Sequence, residues 1–220
     1  MSTDTGDVGV MKPFMIGIAG PSGSGKSTVC YNLETWFSNV TLFQLDDFYK
    51  DAKDCPVIDG VRNWDVPDAL DLEGFFSALR SLKIGKETKV PTYRKDLSKR
   101  VGSKTIVPKE VVISEGLFLY HHEGARNVFD LRLFLSVPEG VQFQRRSQRQ
   151  PDFDPGYFHN VVVPAYLKFG EPTKDFAHHI LDSTHSAKKV SHDLEEVISR
   201  YTLLRKPDGT PPQRAPHPAW

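Results

Sequence analysis

Two cysteines in 220 residues are too few for a disulfide framework, and neither Cys30 nor Cys55 stands in a CxxC or metal-ligand spacing. Both read as ordinary thiols, and no structural zinc site is indicated. No apolar run approaches the roughly 18 residues of a membrane-crossing helix. The opening MSTDTGDVGV lacks the basic and apolar regions of a secretory leader, so a cytoplasmic protein is expected, with the nucleus as a further compartment. Net charge is lacking as well: 28 Lys+Arg offset 28 Asp+Glu, which argues against holding long nucleic acid by bulk electrostatics. Any basic site has to be local. With 39% hydrophobic residues and a mean hydropathy of -0.40, the chain is neither membrane-spanning nor disordered throughout. One α/β domain with a small appendage fits this length.

Residues 1–12 are small and polar, and 206–220 (KPDGTPPQRAPHPAW) are crowded with proline, so both are expected to be disordered tails around a domain at 13–205. Inside it, apolar stretches alternate with amphipathic ones, the pattern of βα units around a mostly parallel sheet. Phe14 to Ala19 and Thr41 to Leu45 read as strands. Between them Val29, Leu33, Trp36 and Phe37 share one helix face. Leu72, Phe75, Phe76, Leu79 and Leu82 mark another helix, with Pro67 and Asp68 near its start. Residues 83–109 carry nine Lys/Arg against Glu87 and Asp96, an exposed excursion such as a hairpin whose charges mostly face solvent. Val111 to Ser114 and Leu131 to Leu135 read as buried strands, and Glu139 to Gln150 as an arginine-bearing helix. His179 to Leu181 forms a weak last strand, and Val190, Leu194, Val197, Ile198 and Tyr201 a final helix. The expected fold is a three-layer α/β sandwich with no internal repeat.

GPSGSGKS at 20–27 matches G-x-x-x-x-G-K-[ST] after an apolar strand and before an amphipathic helix. Gly20, Pro21, Ser22, Gly23, Ser24, Gly25, Lys26 and Ser27, with Thr28 behind them, form the expected phosphate cradle. Backbone N–H groups and the helix start face the β-phosphate, Lys26 reaches the β/γ oxygens, and Ser27 can ligate Mg²⁺. A nucleoside triphosphate site follows, whereas the fate of the γ-phosphate does not, since such loops serve switches, motors and metabolite kinases alike.

Strand two ends in Leu45-Asp46-Asp47-Phe48-Tyr49, at the sheet edge where open α/β folds bind ligands. Asp46 can take the proton of an acceptor hydroxyl and help hold Mg²⁺; alone, such a pair would more simply cap a turn. Glu115, after the apolar strand at 111–114, stands where a magnesium-shell acid stands, or is an exposed acid leading a turn. On the helix at 139–150, Arg145 and Arg149 share a face and Arg146 is turned about 100° away. Such a helix closes over phosphates as a lid, here at about 139–156, or is a basic surface helix.

Together these motifs resemble the uridine kinase and nicotinamide riboside kinase group of P-loop small-metabolite kinases, most closely its nicotinamide riboside branch. The resemblance spans about 14 to 200 and rests on GPSGSGKS, QLDDFYK at 44–50, NWDVPDALD at 63–71, ISEG at 113–116, RRSQR at 145–149 and DPGYFHNVVVPAYLKFG at 154–170. It implies a kinase with ATP and Mg²⁺ as cofactors and a small nucleoside as substrate, without nucleic acid or membrane partners, as a monomer or small homo-oligomer. Asp46 and Lys26 are then the catalytic residues. Asp46, Asp47, Tyr49, Trp64, Asp65 and Arg146 hold the acceptor, Arg145, Arg149 and His185 face ATP, and Ser27, Asp46 and Glu115 attend the metal. Trp64 would attract the pyridinium of nicotinamide riboside by about 0.5–2 kcal/mol, or pack in the core. The carboxylates of Asp46, Asp47 and Asp65 would add negative potential. A uridine/cytidine kinase is the enzymatic alternative, although Pro91-Thr92-Tyr93 is followed by Arg94 where uridine kinases typically place Asp. A nucleotide-dependent regulatory binding protein is the alternative of another class.

Overall fold

The computed structural model describes residues 12–202 apart from 59 and 151. Both expected tails, Lys12 apart, lie outside the described residues. β1 (Phe14–Ala19) leads through the glycine loop into α1 (Lys26–Trp36) and β2 (Val40–Gln44). A short hairpin of β3 (Val57–Ile58) and β4 (Val61–Arg62) precedes α2 (Leu72–Lys83), and a longer one pairs β5 (Thr88–Arg94) with β6 (Lys99–Ile106). β7 (Val111–Gly116), α3 (Glu123–Arg126), β8 (Leu131–Ser136) and α4 (Glu139–Arg149) follow. A helical run over 155–176 then reaches β9 (His179–Asp182) and the last helix, Ala187–Ser199.

The five-stranded sheet has the order β2-β7-β1-β8-β9, and every pairing in it is parallel. Side chains of β1 alternate: Met15 and Ala19 join a core with Phe43, Phe75, Leu79 and Leu82, while Ile16 and Ile18 join the opposite one with Val29, Leu33, Val190 and Leu194. A parallel sheet covered on both faces requires such apolar strands. This is the three-layer α/β fold expected from the alternation of elements.

Three boundaries depart from the sequence pattern. Pro67–Ala69 forms a separate 3₁₀ turn, and α2 begins at Leu72 because the Asp71 carboxylate accepts the Gly74 N–H at 2.9 Å. Leu45 leaves β2 to open a 3₁₀ turn over 45–48 that carries Asp46. The last helix starts at the Ser186 cap and stops at Ser199, leaving Tyr201 beyond it.

Candidate functional site

The sheet order puts β7 between β1 and β2, so the C-terminal ends of all three meet at one edge, where open α/β folds hold ligands. Glu115 pairs across β1 with Ile18 and across β2 with Gln44, so it lies one residue short of where the glycine loop and the Asp46 turn diverge. In the loop, Gly23 (φ 82°) and Gly25 (φ 85°) take left-handed backbone that only glycine adopts without strain. Lys26 donates from Nζ to the Gly20 and Pro21 carbonyls, both at 2.9 Å, and burial lowers its pKa against the opposing pull of Glu115 and Asp46. The Ser183 hydroxyl donates to the Ser24 carbonyl, tying the loop after β9 to the phosphate loop.

Ser27 donates from Oγ to Glu115 Oε1 at 2.8 Å, and Gln44 from Nε2 to the same oxygen at 3.1 Å. Glu115 is buried, which raises its pKa, as does Asp46, while Lys26 opposes the shift. Ser27, Glu115 and Asp46 offer only oxygen donors, the chemistry that Mg²⁺ takes. Among the described residues no cluster of three or more His, Cys, Asp or Glu side chains forms a metal cage. The donors fit a magnesium held by one or two carboxylates, waters and substrate phosphates.

A cleft of about 960 Å³ opens above these strand ends. Ser22, Gly23, Gly25, Lys26, Ser27, Thr28 and Glu115 line it on the side of the glycine loop, and Asp46, Tyr49, Trp64, Asp65, Arg146 and Arg149 are among the residues of its other walls. Gly20, Pro21 and Ser24 of the loop are buried and do not line the cleft. Arg145 and Arg146 diverge as their spacing requires, but Arg149, expected to share the face of Arg145, lines the cleft with Arg146 while Arg145 does not. Arg145 donates to the carbonyls of Gly23 at 3.1 Å and of Thr184 and His185 at 3.3 Å, Arg146 turns to Asp65, and Arg149 faces the cleft. Asp47 and His185 also stand aside from the cleft. Asp47 is held by Lys104 at 2.7 Å and does not line the cleft. The exposed His185 imidazole lies 3.8 Å from Asp182, and only its carbonyl joins the Arg145 contacts.

Trp64 packs on the small core of Cys55, Val66, Ala69 and Ala165 and also lines the cleft. Its ring lies 6.0 Å from Tyr49 and 6.4 Å from Tyr93, and those two are 5.5 Å apart. Asp65 is buried, which raises its pKa against the pull of Arg146 at 3.5 Å. The Tyr157 hydroxyl donates to Asp65 at 3.4 Å, and burial together with the Asp65 charge pushes that phenol up to about 12.

The 83–109 segment is the exposed hairpin that its composition suggested, and most of its cations stay exposed. Its tip lines the cleft, and three of its cations pair with carboxylates around the Asp46 turn and the start of α2. Lys95 meets Asp46 at 2.6 Å, Lys104 meets Asp47, and Arg100 meets Asp71 at 3.4 Å. Tyr93, Lys95 and Tyr157 are therefore site residues that the motifs did not select. Tyr93 carried a signal in the Pro-x-Tyr pattern and Tyr157 lies within the 154–170 motif, but that it reaches Asp65 from 92 residues away is not written in the local sequence.

Residues 15–191 match the Phosphoribulokinase / Uridine kinase family. The chain belongs to this family. A uridine kinase of Brevibacillus brevis is 34% identical over 205 residues, covering 88% of this chain and 95% of the relative. One from Clostridium perfringens is 31% identical, covering 86% and 99%. Among solved structures, a possible uridine kinase from Bacillus stearothermophilus aligns with a TM-score of 0.57 at 22% identity, over 78% of this chain and 89% of that one. Phosphoribulokinase from Rhodobacter spheroides aligns with the same TM-score of 0.57 at 12% identity, over 80% and 74%. These two likenesses concern the fold. As a uridine kinase-family member the chain is a P-loop kinase, which sets aside the regulatory binding protein. Among the described residues no helix is long and apolar enough to cross a membrane.

Proposed function

We propose that this kinase transfers the γ-phosphoryl group of ATP to the 5′-hydroxyl of a pyrimidine nucleoside, uridine or cytidine, in the cytoplasm. The observation that carries the choice of acceptor is the pairing of carboxylates around the cleft. Each acid expected to attract a pyridinium already faces a cation: Asp46 faces Lys95, Asp47 faces Lys104 and Asp65 faces Arg146. An aromatic wall without surplus negative charge suits a neutral base, and the relatives named uridine kinase support the same side.

Asp46 accepts the 5′-hydroxyl proton, Asp65 accepts hydrogen bonds from ribose hydroxyls, and the Tyr49, Trp64 and Tyr93 rings flank the base. Lys26 and Arg149 face the phosphates and oppose the charge that develops in transfer. Magnesium, which Ser27, Asp46 and Glu115 would attend, supplies charge neutralisation between phosphate oxygens.

Nicotinamide riboside is the second reading, and the three rings favour it, since aromatic faces attract cations. Measuring kcat/KM for uridine, cytidine and nicotinamide riboside with one preparation separates the two. The expected order places a pyrimidine nucleoside first; a strong preference for the riboside would replace this reading with the second.

A further inference from the structure

The phosphoryl transfer proposed above leaves Lys95 without a part. It sits in the 3₁₀ turn Lys95–Leu97 joining β5 to β6. Its ammonium lies 2.6 Å from Asp46 Oδ2, although the two residues are 49 positions apart. Lys95 lines the cleft together with Asp46, Lys26, Glu115 and Arg149, and the Asp46 charge raises its pKa.

Stability does not explain this contact. The Lys95 side chain is 71% exposed and that of Asp46 31%, and pairs this open contribute little to folding. The turn is nevertheless held firmly. Ala52 N–H donates to the Ser98 carbonyl at 2.9 Å, and Arg100 N–H to Asp51 at 2.8 Å. The Arg100 guanidinium donates to the carbonyls of Phe48 and Tyr49, both at 3.0 Å, clamping the hairpin onto the very turn that carries Asp46. A bulge between Thr92 and Tyr93 shifts the register two residues before Lys95, and bulges re-aim side chains. One hairpin tip thus presents Tyr93 to the aromatic wall and Lys95 to the general base.

We propose that Lys95 is a positioning residue that aims the Asp46 carboxylate at the acceptor hydroxyl, so that one hairpin tip both completes the aromatic wall and orients the base. In the step it serves, the acceptor oxygen forms a bond to the γ-phosphorus, the bond from that phosphorus to the β-bridging oxygen breaks, and ADP leaves. The hydroxyl proton passes to Asp46. Lys95 neither gives nor takes a proton. Contacts realised only when the carboxylate is correctly aimed act on kcat rather than on ground-state binding.

The experiment compares wild type, Lys95→Met and Lys95→Arg with uridine and cytidine, and repeats Lys95→Met in an Asp46→Asn background. Lys95→Met should lower kcat roughly 10- to 100-fold, less than the roughly 100- to 10,000-fold of a whole general base. Acceptor KM and unfolding temperature should stay near wild type, and Lys95→Arg should restore most of the rate. In the Asp46→Asn background the lysine substitution should cost little more, because its target is gone. An unchanged kcat, a loss confined to KM, or the same fold-loss in both backgrounds overturns the proposal. A wild type that phosphorylates neither nucleoside overturns the functional reading instead, and is recognised before any variant is compared.

Discussion

Replacing Arg146 with Met removes the cation from a carboxylate that the fold has buried. The side chains of Arg146 and Asp65 are each 10% exposed, 3.5 Å apart. Beyond Arg146, the Asp65 carboxylate receives only the Tyr157 hydroxyl at 3.4 Å among the contacts within the cleft. Breaking one side of a buried pair costs about 3–5 kcal/mol, and this pair opens on the cleft, so about 3 kcal/mol is expected. At about 2–4 °C per kcal/mol for a domain of this size, Tm should fall roughly 6–12 °C. The loss should also depend on pH. Burial already holds the Asp65 carboxyl above its ordinary value, and Arg146 is the main opposing influence. A carboxyl whose folded pKa exceeds its unfolded one binds more protons when folded, so stability falls as pH rises through that interval. Without Arg146 the folded value climbs further. The deficit in thermal unfolding should therefore be larger at pH 8 than at pH 5, because lowering the pH favours the neutral carboxyl. Asp65→Asn added to Arg146→Met should recover part of the loss. A deficit equal at both pH values, together with no recovery in the double variant, would refute an uncompensated charge as its cause.

Asp46→Asn and Lys26→Ala should each leave a folded protein with kcat down roughly 100-fold or more, since both act on the transferring group; a large fall in Tm would assign them to structure instead. Trp64→Ala should raise acceptor KM roughly 5- to 30-fold, the equivalent of about 1–2 kcal/mol of stacking, and an unchanged KM in steady-state kinetics would remove Trp64 from the acceptor wall. Gly17→Ala tests the core beneath the site. A Cβ there would stand 2.8 Å from a Tyr120 ring carbon, and the Tyr120 hydroxyl is tied to the Gly17 carbonyl at 2.6 Å and accepts the Leu133 N–H at 2.9 Å. Urea unfolding should show a loss of about 1–3 kcal/mol, and an unshifted midpoint would mean that the ring moves freely.

The strand, loop and helix around Lys26 were legible because apolar period, glycine positions and the Lys-Ser pair are all local signals. The same holds for the divergence of Arg145 and Arg146, which helix geometry imposes before any packing is known. Local pattern failed where one signal served two purposes. Pro67 marks a 3₁₀ turn rather than the start of α2, because Asp71 is better placed to cap it. The cations of 83–109 stay mostly exposed, as their composition suggested, and what local pattern missed is that Lys95, Arg100 and Lys104 bond to acids 29 to 57 residues away by sequence number.

By itself, then, the chain's order of residues determined a parallel α/β sheet, a phosphate loop at the end of β1 and carboxylates at the ends of β2 and β7, since each rests on periodicity or short spacing. The tertiary structure decided the charge of the acceptor cleft. Whether Asp46 and Asp65 present free negative potential depends on which cations reach them, and Lys95 and Arg146 arrive from elements 49 and 81 positions along the chain. Electrostatic partners are chosen by distance in space, which period and motif do not encode.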